Sequence, residues 1–164
     1  MTDERWPDVK ALFQAAVERP PEERETFLAD IHVGIISISE DGRGPLTVPI
    51  WYAYDVGGDL RIMTGRESRK GRLLARAGRF SLCVQTETPP YEYVSVEGAI
   101  ISTETADIER DLRPLARRYL GEKMGDRYVD RYMEETPTHS DNVLIRMRPE
   151  RWLTTDYSKE NGAV

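Results

Sequence analysis

At 164 residues the chain is long enough to bury one real core and too short for two comfortable domains. Hydrophobic residues at 39% and charged residues at 32% fit a globular protein, and a net charge of −6 makes the chain a poor candidate for nucleic-acid binding, which depends on a basic face. A lone cysteine allows no disulfide within the chain, the opening Met1 to Arg5 is polar, and no run approaches membrane-spanning length. A soluble, cytoplasmic protein without nucleic-acid or membrane partners is expected.

In residues 1–30 the pattern predicts two short helices. Val9, Leu12, Phe13, Ala16 and Val17 form one apolar stripe at helical spacing. Pro20 and Pro21 end that helix, and Pro21 starts a second over residues 22–29, with Phe27 and Leu28 inward. From His32 the period becomes extended. Residues 32–39 read as a strand closed by a turn at 40–45. Residues 46–54 read as a second strand, in which Pro49 demands an edge or a bulge. A hairpin turn at 55–59 leads into a third strand to Thr64, and residues 69–77 form a helix stopped by Gly78. Residues 79–86 are strand again, and residues 91–103 a long strand with a bulge at Gly98. Residues 107–120 and 125–134 read as helices, the first kinked or restarted at Pro114. Strands at 142–147 and 151–155 follow, and the tail from Ser158 frays.

The expected fold class is mainly β (α+β). It is a single domain with N-terminal helices (1–30), a barrel core (32–103), helices (104–140) and C-terminal strands (141–157). Hairpin spacing with helices gathered at the ends predicts an antiparallel barrel rather than a parallel sheet.

Two stretches carry chemistry. In Met63-Thr64-Gly65-Arg66-Glu67-Ser68-Arg69-Lys70, Ser68 is placed as a helix N-cap. The cations after it sit at the end of the helix dipole that already carries positive charge, at a cost of a few tenths of a kcal/mol each. A bound anion reverses the sign of that cost; a solvated basic turn is the plainer alternative. In Val48-Pro49-Ile50-Trp51-Tyr52, a strand holding both Pro and Trp leaves a flat, partly unpaired surface that suits a planar ring. Trp51 as ordinary core is the alternative there. Together the two stretches match a phosphorylated planar cofactor, which needs placement and shielding rather than a catalytic triad, and hydride chemistry is its natural class.

Other chemistries find less support. His32 and His139 are far apart and Cys83 offers no paired ligand, so no metal site is expected. His32 is expected to cap or to sit at an interface, and Cys83 to be a buried, inert thiol. No Gly-x-Ser-x-Gly elbow, Walker A loop or Gly-x-Gly-x-x-Gly run is present. Acidic residues beside arginines near 109–113 and 126–131 predict ion-paired, solvated helix faces.

The runs HVGIISISEDGRGPLTVPIWYAYD, LRIMTGRESRKGRLLARAGRFSLCVQ and YVSVEG resemble the split β-barrel family of pyridoxamine 5′-phosphate oxidase. Within it they are most similar to the flavin/deazaflavin oxidoreductases with a Val-Pro-x-Trp strand. The resemblance implies an FMN-binding type of split barrel that forms a homodimer with two cofactor sites at the subunit interface. By resemblance, Thr64, Ser68, Arg69 and Lys70 hold the cofactor phosphate beside Met63. Thr47, Val48, Pro49 and Trp51 flank the ring, and Gln85 and Tyr93 lie at its edge. The Arg-rich strand of true pyridoxamine phosphate oxidases is missing at 46–51. Their substrate-gripping C-terminal segment is also missing, replaced by Arg148-Pro149-Glu150-Arg151-Trp152-Leu153. Both departures argue against vitamin B6 oxidation. The implied cofactor is the deazaflavin coenzyme F-420, with FMN as the alternative. The implied activity is hydride transfer to a small, planar, electron-poor substrate. A non-catalytic flavin- or deazaflavin-binding carrier is the reading from another class, and no catalytic side chain is assigned. The helices at 107–134 are expected to cover the pocket, with Tyr91 or Tyr128 reaching it.

Overall fold

A computed structural model describes residues 19–136 and 141–158 of the chain. The expected stripe from Val9 to Val17, His139, and the tail beyond Ser158 fall outside the described residues. The first described helix, α1 (Pro21–Ala29), starts on its proline and buries Phe27 and Leu28. Strands β1 (Gly34–Ile38), β2 (Leu46–Ile50), β3 (Tyr52–Ala53) and β4 (Leu60–Gly65) follow, then α2 (Arg69–Ala77), β5 (Arg79–Gln85) and the long β6 (Glu92–Thr105). A π-helical turn (Ile108–Leu112) runs into α3 (Arg113–Leu120) and α4 (Glu122–Glu135), and β7 (Asn142–Met147) and β8 (Arg151–Asp156) complete the order.

The strands form one eight-stranded sheet in the order β2-β1-β5-β6-β7-β4-β3, with β8 against the first half of β6. Every described pairing is antiparallel, and the sheet curls into a split barrel. β6 makes the curl possible because its 14 residues serve two partners in succession, β5 first and β7 from Ile100 onward. Alternate residues point into the barrel: Ile36 and Ile38, Leu60 and Ile62, Leu82 and Val84, Val94 and Val96, Ile145 and Met147 form its core. Tyr52 is fully buried there, and its hydroxyl donates to the Leu28 carbonyl at 2.7 Å, tying α1 to the barrel.

Several expectations need correction. The single strand over 46–54 is two, because Leu46–Ile50 pairs with β1 while Tyr52–Ala53 pairs with β4. Trp51 is the corner between them, and Pro49 lies on an edge strand as its missing N–H requires. The bulge falls between Ile100 and Ser102, not at Gly98. Gly98 stays in register opposite Phe80, and a Cβ there would come 1.8 Å from the Arg148 carbonyl oxygen, so it is glycine for close approach. The last helix starts at Glu122, with Gly125 inside it; a Cβ at Gly125 would meet the Arg117 nitrogen at 2.6 Å. Of the two alternatives expected at Pro114, the structure has the restart, in the first turn of α3 after the π-turn. Cys83 is half-buried on the outer side of β5 rather than in the core.

The helical layer has its own small core of Leu112, Ala116 and Val129, packed against Trp51, Met63, Ile108 and Tyr132. Arg113 reaches Glu109, Asp126 and Asp130 at 2.7, 3.2 and 3.1 Å, and Arg117 reaches Asp126 at 2.7 Å, linking α3 to α4. No helix among the described residues is long and apolar enough to cross a membrane.

Candidate functional site

The site begins where β4 meets α2. Ser68 is the N-cap of α2: its hydroxyl accepts from the Gly71 N–H at 3.0 Å, donates to the Gly65 carbonyl at 2.7 Å, and lies 3.2 Å from the Thr64 hydroxyl. A Cβ at Gly71 would come 2.2 Å from the Gly65 oxygen, so glycine there lets the helix start abut the strand end. Gly78, at φ 64°, closes the helix in the left-handed region.

The two cations of this corner have different fates. Arg69 is exposed and pairs with Glu40 at 2.6 Å, pinning the β1–β2 turn to α2. That hydrogen bond holds the Glu40 carboxyl below the usual carboxylate range. Lys70 is half-buried, and no described residue makes an ion pair with it. Burial lowers its pKa below the ordinary lysine value. An ammonium partly out of water and without a counter-charge is a site that an anion completes.

Lys70 faces a cavity of about 340 Å³ whose other walls include Pro49, Trp51, Met63, Leu112 and Tyr128. A second cavity of about 710 Å³ adjoins it, sharing Val33 and Pro49, and extends past Ile35 and Cys83 to Gln85. Together they make one depression along the outer face of β2, β1 and β5. Across that face the register aligns Pro49, Ile35, Cys83, Ser95 and Leu153 in one row. Ile35 is 37% and Leu153 62% exposed, so the row is an open apolar stripe. Gln85 pairs across to Tyr93 one step along. Thr47 lies on the other side of the row, its hydroxyl 3.4 Å from that of Ser37. Val48 turns its side chain toward the core, which leaves only its backbone at the face.

Trp51 is partly buried and stacks on Tyr119, ring centroids 5.0 Å apart and 5° from parallel, with Tyr128 tilted against it at 5.5 Å. The Tyr119 hydroxyl accepts from the Tyr52 N–H at 3.1 Å and donates to the His32 carbonyl at 2.8 Å. His32 stacks on Phe27 at 4.5 Å, and its buried Nε2 has no hydrogen-bond partner among the described residues. Burial is the main cause of its lowered pKa.

Residues 20–156 match the family model described as pyridoxamine 5′-phosphate oxidase. The chain belongs to this family. Among solved structures, an F-420 reductase aligns at TM-score 0.64 and 22% identity, over 79% of this chain and 94% of its own. A conserved hypothetical protein of Mycobacterium tuberculosis aligns at 0.68 and 22% identity, over 90% and 91%. An FAD-binding protein of Mesorhizobium loti aligns at 0.53 and 20% identity, over 83% and 94%. At these identities the likeness establishes the split-barrel fold. No curated protein matches the sequence.

The fold thus gathers Pro49, Trp51, Met63 and Lys70 around one cavity, sets Gln85 beside Tyr93 at the far end of the depression, and stacks Thr64 and Ser68 under Lys70's helix. Sequence reading missed Tyr119, Val33, Leu112 and Leu115. Tyr119 sits four residues after Leu115 on the apolar side of α3, a spacing that marks a helix face but not the partner it meets. Tyr128 does line the cavity, and Tyr91 is not among its walls.

Proposed function

We propose that the protein is an oxidoreductase that binds the deazaflavin coenzyme F-420 along the outer face of β1, β2 and β5. The observation that carries this reading is Lys70, half-buried and without an ion-pair partner among the described residues, at the junction of an N-capped helix and a cavity walled by Pro49, Trp51 and Met63. The donor set fits a phosphate. The N–H groups of Arg69 and Lys70 take no backbone carbonyl among the described residues, and the Thr64 and Ser68 hydroxyls lie beside them. Lys70 adds the fixed positive charge, and Arg69 steadies the corner through Glu40. Pro49 leaves β2's edge without a donor at the ring position, and Gln85 and Tyr93 offer polar groups at its far end. When bound, the reduced coenzyme supplies the hydride for an electron-poor C=C or C=N bond. The residues around it orient it and exclude water.

The open row of Ile35, Cys83 and Leu153 supports a second copy of the chain as the cover for this face, with two cofactor sites at the interface of a cytoplasmic homodimer. Purified protein is denatured and the released chromophore read by absorption, fluorescence and mass. Apoprotein is then titrated with F-420 and with FMN, and its mass is measured by light scattering. Tight F-420 binding by a dimer, with bleaching of the reduced coenzyme's partner acceptor among enones or quinones, is expected. A released isoalloxazine with no F-420 affinity assigns the site to FMN instead. F-420 binding without turnover makes the protein a carrier.

A further inference from the structure

Along the outer face of β4, between the sheet and α3, lies a cavity of about 310 Å³ whose charged end the cofactor reading does not use. One end is charged. Arg61, Arg110, Arg118 and Arg146 line it with Asp55 and Asp111, so guanidiniums outnumber carboxylates four to two. The other end is apolar, formed by Met63, Pro114, Leu115 and Leu144.

The strand register makes the charged end unusual. Arg61 on β4 stands directly opposite Arg146 on β7, a like-charge pair that destabilises an antiparallel ladder. Their side chains project to the same face, away from the core, because Ile62 and Ile145 alternate inward. Arg61 has one partner, Asp55 at 2.5 Å, whose side chain is largely in solvent. Arg146 is half-buried, and its side chain makes no hydrogen bond or ion pair among the described residues. Asp111 lies close enough for the two charges to attract, but it makes no hydrogen bond or ion pair with Arg146. Its carboxylate is taken by Arg110 at 2.8 and 3.0 Å and by the Asp107 N–H at 2.8 Å. One Arg118 Nη donates to the Ala29 and Asp30 carbonyls at 2.5 and 2.7 Å, which fixes its position at the wall, while its buried Nε has no hydrogen-bond partner among the described residues. The next row along the same strands pairs Met63 with Leu144, so the charge gives way to an apolar floor within one step.

We infer that this cavity binds a small organic anion, its acidic group held between Arg61 and Arg146 and its apolar body against Met63, Leu115 and Leu144. Guanidinium forks match the planar oxygens of a carboxylate, sulfonate or phosphate, and an anion between the opposed arginines replaces their repulsion by two attractions. The volume lies at the small end of ordinary ligand pockets. Met63 and Leu115 also wall the Lys70 cavity, so the two sites are neighbours with separate charged ends. The inference stands apart from the identity of the cofactor.

The test uses the full-length protein and 1-anilinonaphthalene-8-sulfonate, which carries one sulfonate on an aromatic body, titrated by fluorescence at low salt. Arg61→Met and Arg146→Met, which keep the apolar stems, are each expected to weaken binding at least tenfold, and Lys70→Ala to leave it unchanged. Circular dichroism melts establish that each variant is folded, and Arg146→Lys, which keeps the charge without the fork, is expected to fall between. Displacement of the probe by hexanoate marks a carboxylate ligand, and displacement by inorganic phosphate a phosphoryl one; displacement by neither overturns the inference. Undiminished binding in the double methionine variant, or loss of binding in Lys70→Ala alone, overturns it as well.

Discussion

Two cationic hollows lie among the described residues, and they are built in opposite ways. The Lys70 corner is local. Residues 64 to 71 contain its cap, its glycine, its hydroxyls and its lysine, and one strand-to-helix turn brings them together. The arginine cavity is assembled from β4, β7, the π-turn and α3, with Arg61 and Arg146 far apart in the chain and adjacent only through strand pairing. In the first, charge faces a helix dipole of the same sign; in the second, it faces another guanidinium. Each fold element thus tolerates an unfavourable charge placement that an anion would relieve, but only the first writes its signature in a continuous run of sequence.

Four perturbations bear on that contrast. The largest effect is expected from Gly71→Ala. Its Cβ would meet a backbone oxygen that cannot swing aside, so α2 must move off β4, at a cost of about 3 kcal/mol read in a denaturant melt. The arginine cavity, which α2 does not line, should keep its probe affinity in the folded variant. Next, Lys70→Ala should weaken coenzyme binding by one to two decades, about 1.5–3 kcal/mol for a charge-assisted contact, measured by fluorescence titration. Because burial lowers the Lys70 pKa, wild-type affinity should also decline as pH rises, starting below the ordinary lysine range, and Lys70→Arg should remove that decline. An unchanged affinity in Lys70→Ala would take the lysine out of the phosphate site.

Tyr119→Phe addresses the link between the hollows, since α3 carries both Tyr119 under Trp51 and Leu115 in both cavities. The change strands the Tyr52 N–H and should cost about 1–2 kcal/mol in thermal or chemical melts while weakening both ligands. An effect confined to one ligand would show the hollows to be mechanically separate. The smallest effect concerns His32. Burial lowers its folded pKa, so the unfolded chain binds the extra proton first as pH drops. The neutral ring therefore contributes stability above the unfolded pKa near 6.5, which is lost as pH falls through that value toward the folded one. His32→Gln should flatten this acid-side slope in denaturant melts between about pH 5 and 8.

The same contrast explains what was legible in the sequence. The helix over 69–77, its Ser68 cap and its Gly78 stop follow from local propensity and capping chemistry, and the structure has them at those residues. Pro49 announced an edge or a bulge through its missing donor, and the structure has the edge. The break at Trp51 was not legible, because nothing local says that Ile50 and Tyr52 pair with different strands. The bulge was assigned to Gly98 because glycine marks both bulges and close approaches, and only the Arg148 carbonyl distinguishes them. Cys83 looked buried because it stands between Leu82 and Val84 in a largely apolar run; the register turns it to the open face. The Arg61–Arg146 pair needed a register that no periodicity contains.

The corner at Trp51 has a consequence for how the barrel comes to exist. β2 and β3 are the two ends of the sheet, and a single residue joins them, so no ladder hydrogen bond seals that seam. The Tyr119 hydroxyl bridges the gap beside it instead, joining the Tyr52 amide of β3 to the His32 carbonyl just ahead of β1, from a helix 67 residues along the chain from Tyr52. Barrel closure is thereby tied to docking of the helical layer, a contact that must wait for most of the chain to be in place. The Tyr52 amide is a latch whose hydrogen exchange is expected to follow the arrival and departure of α3 rather than the opening of a strand.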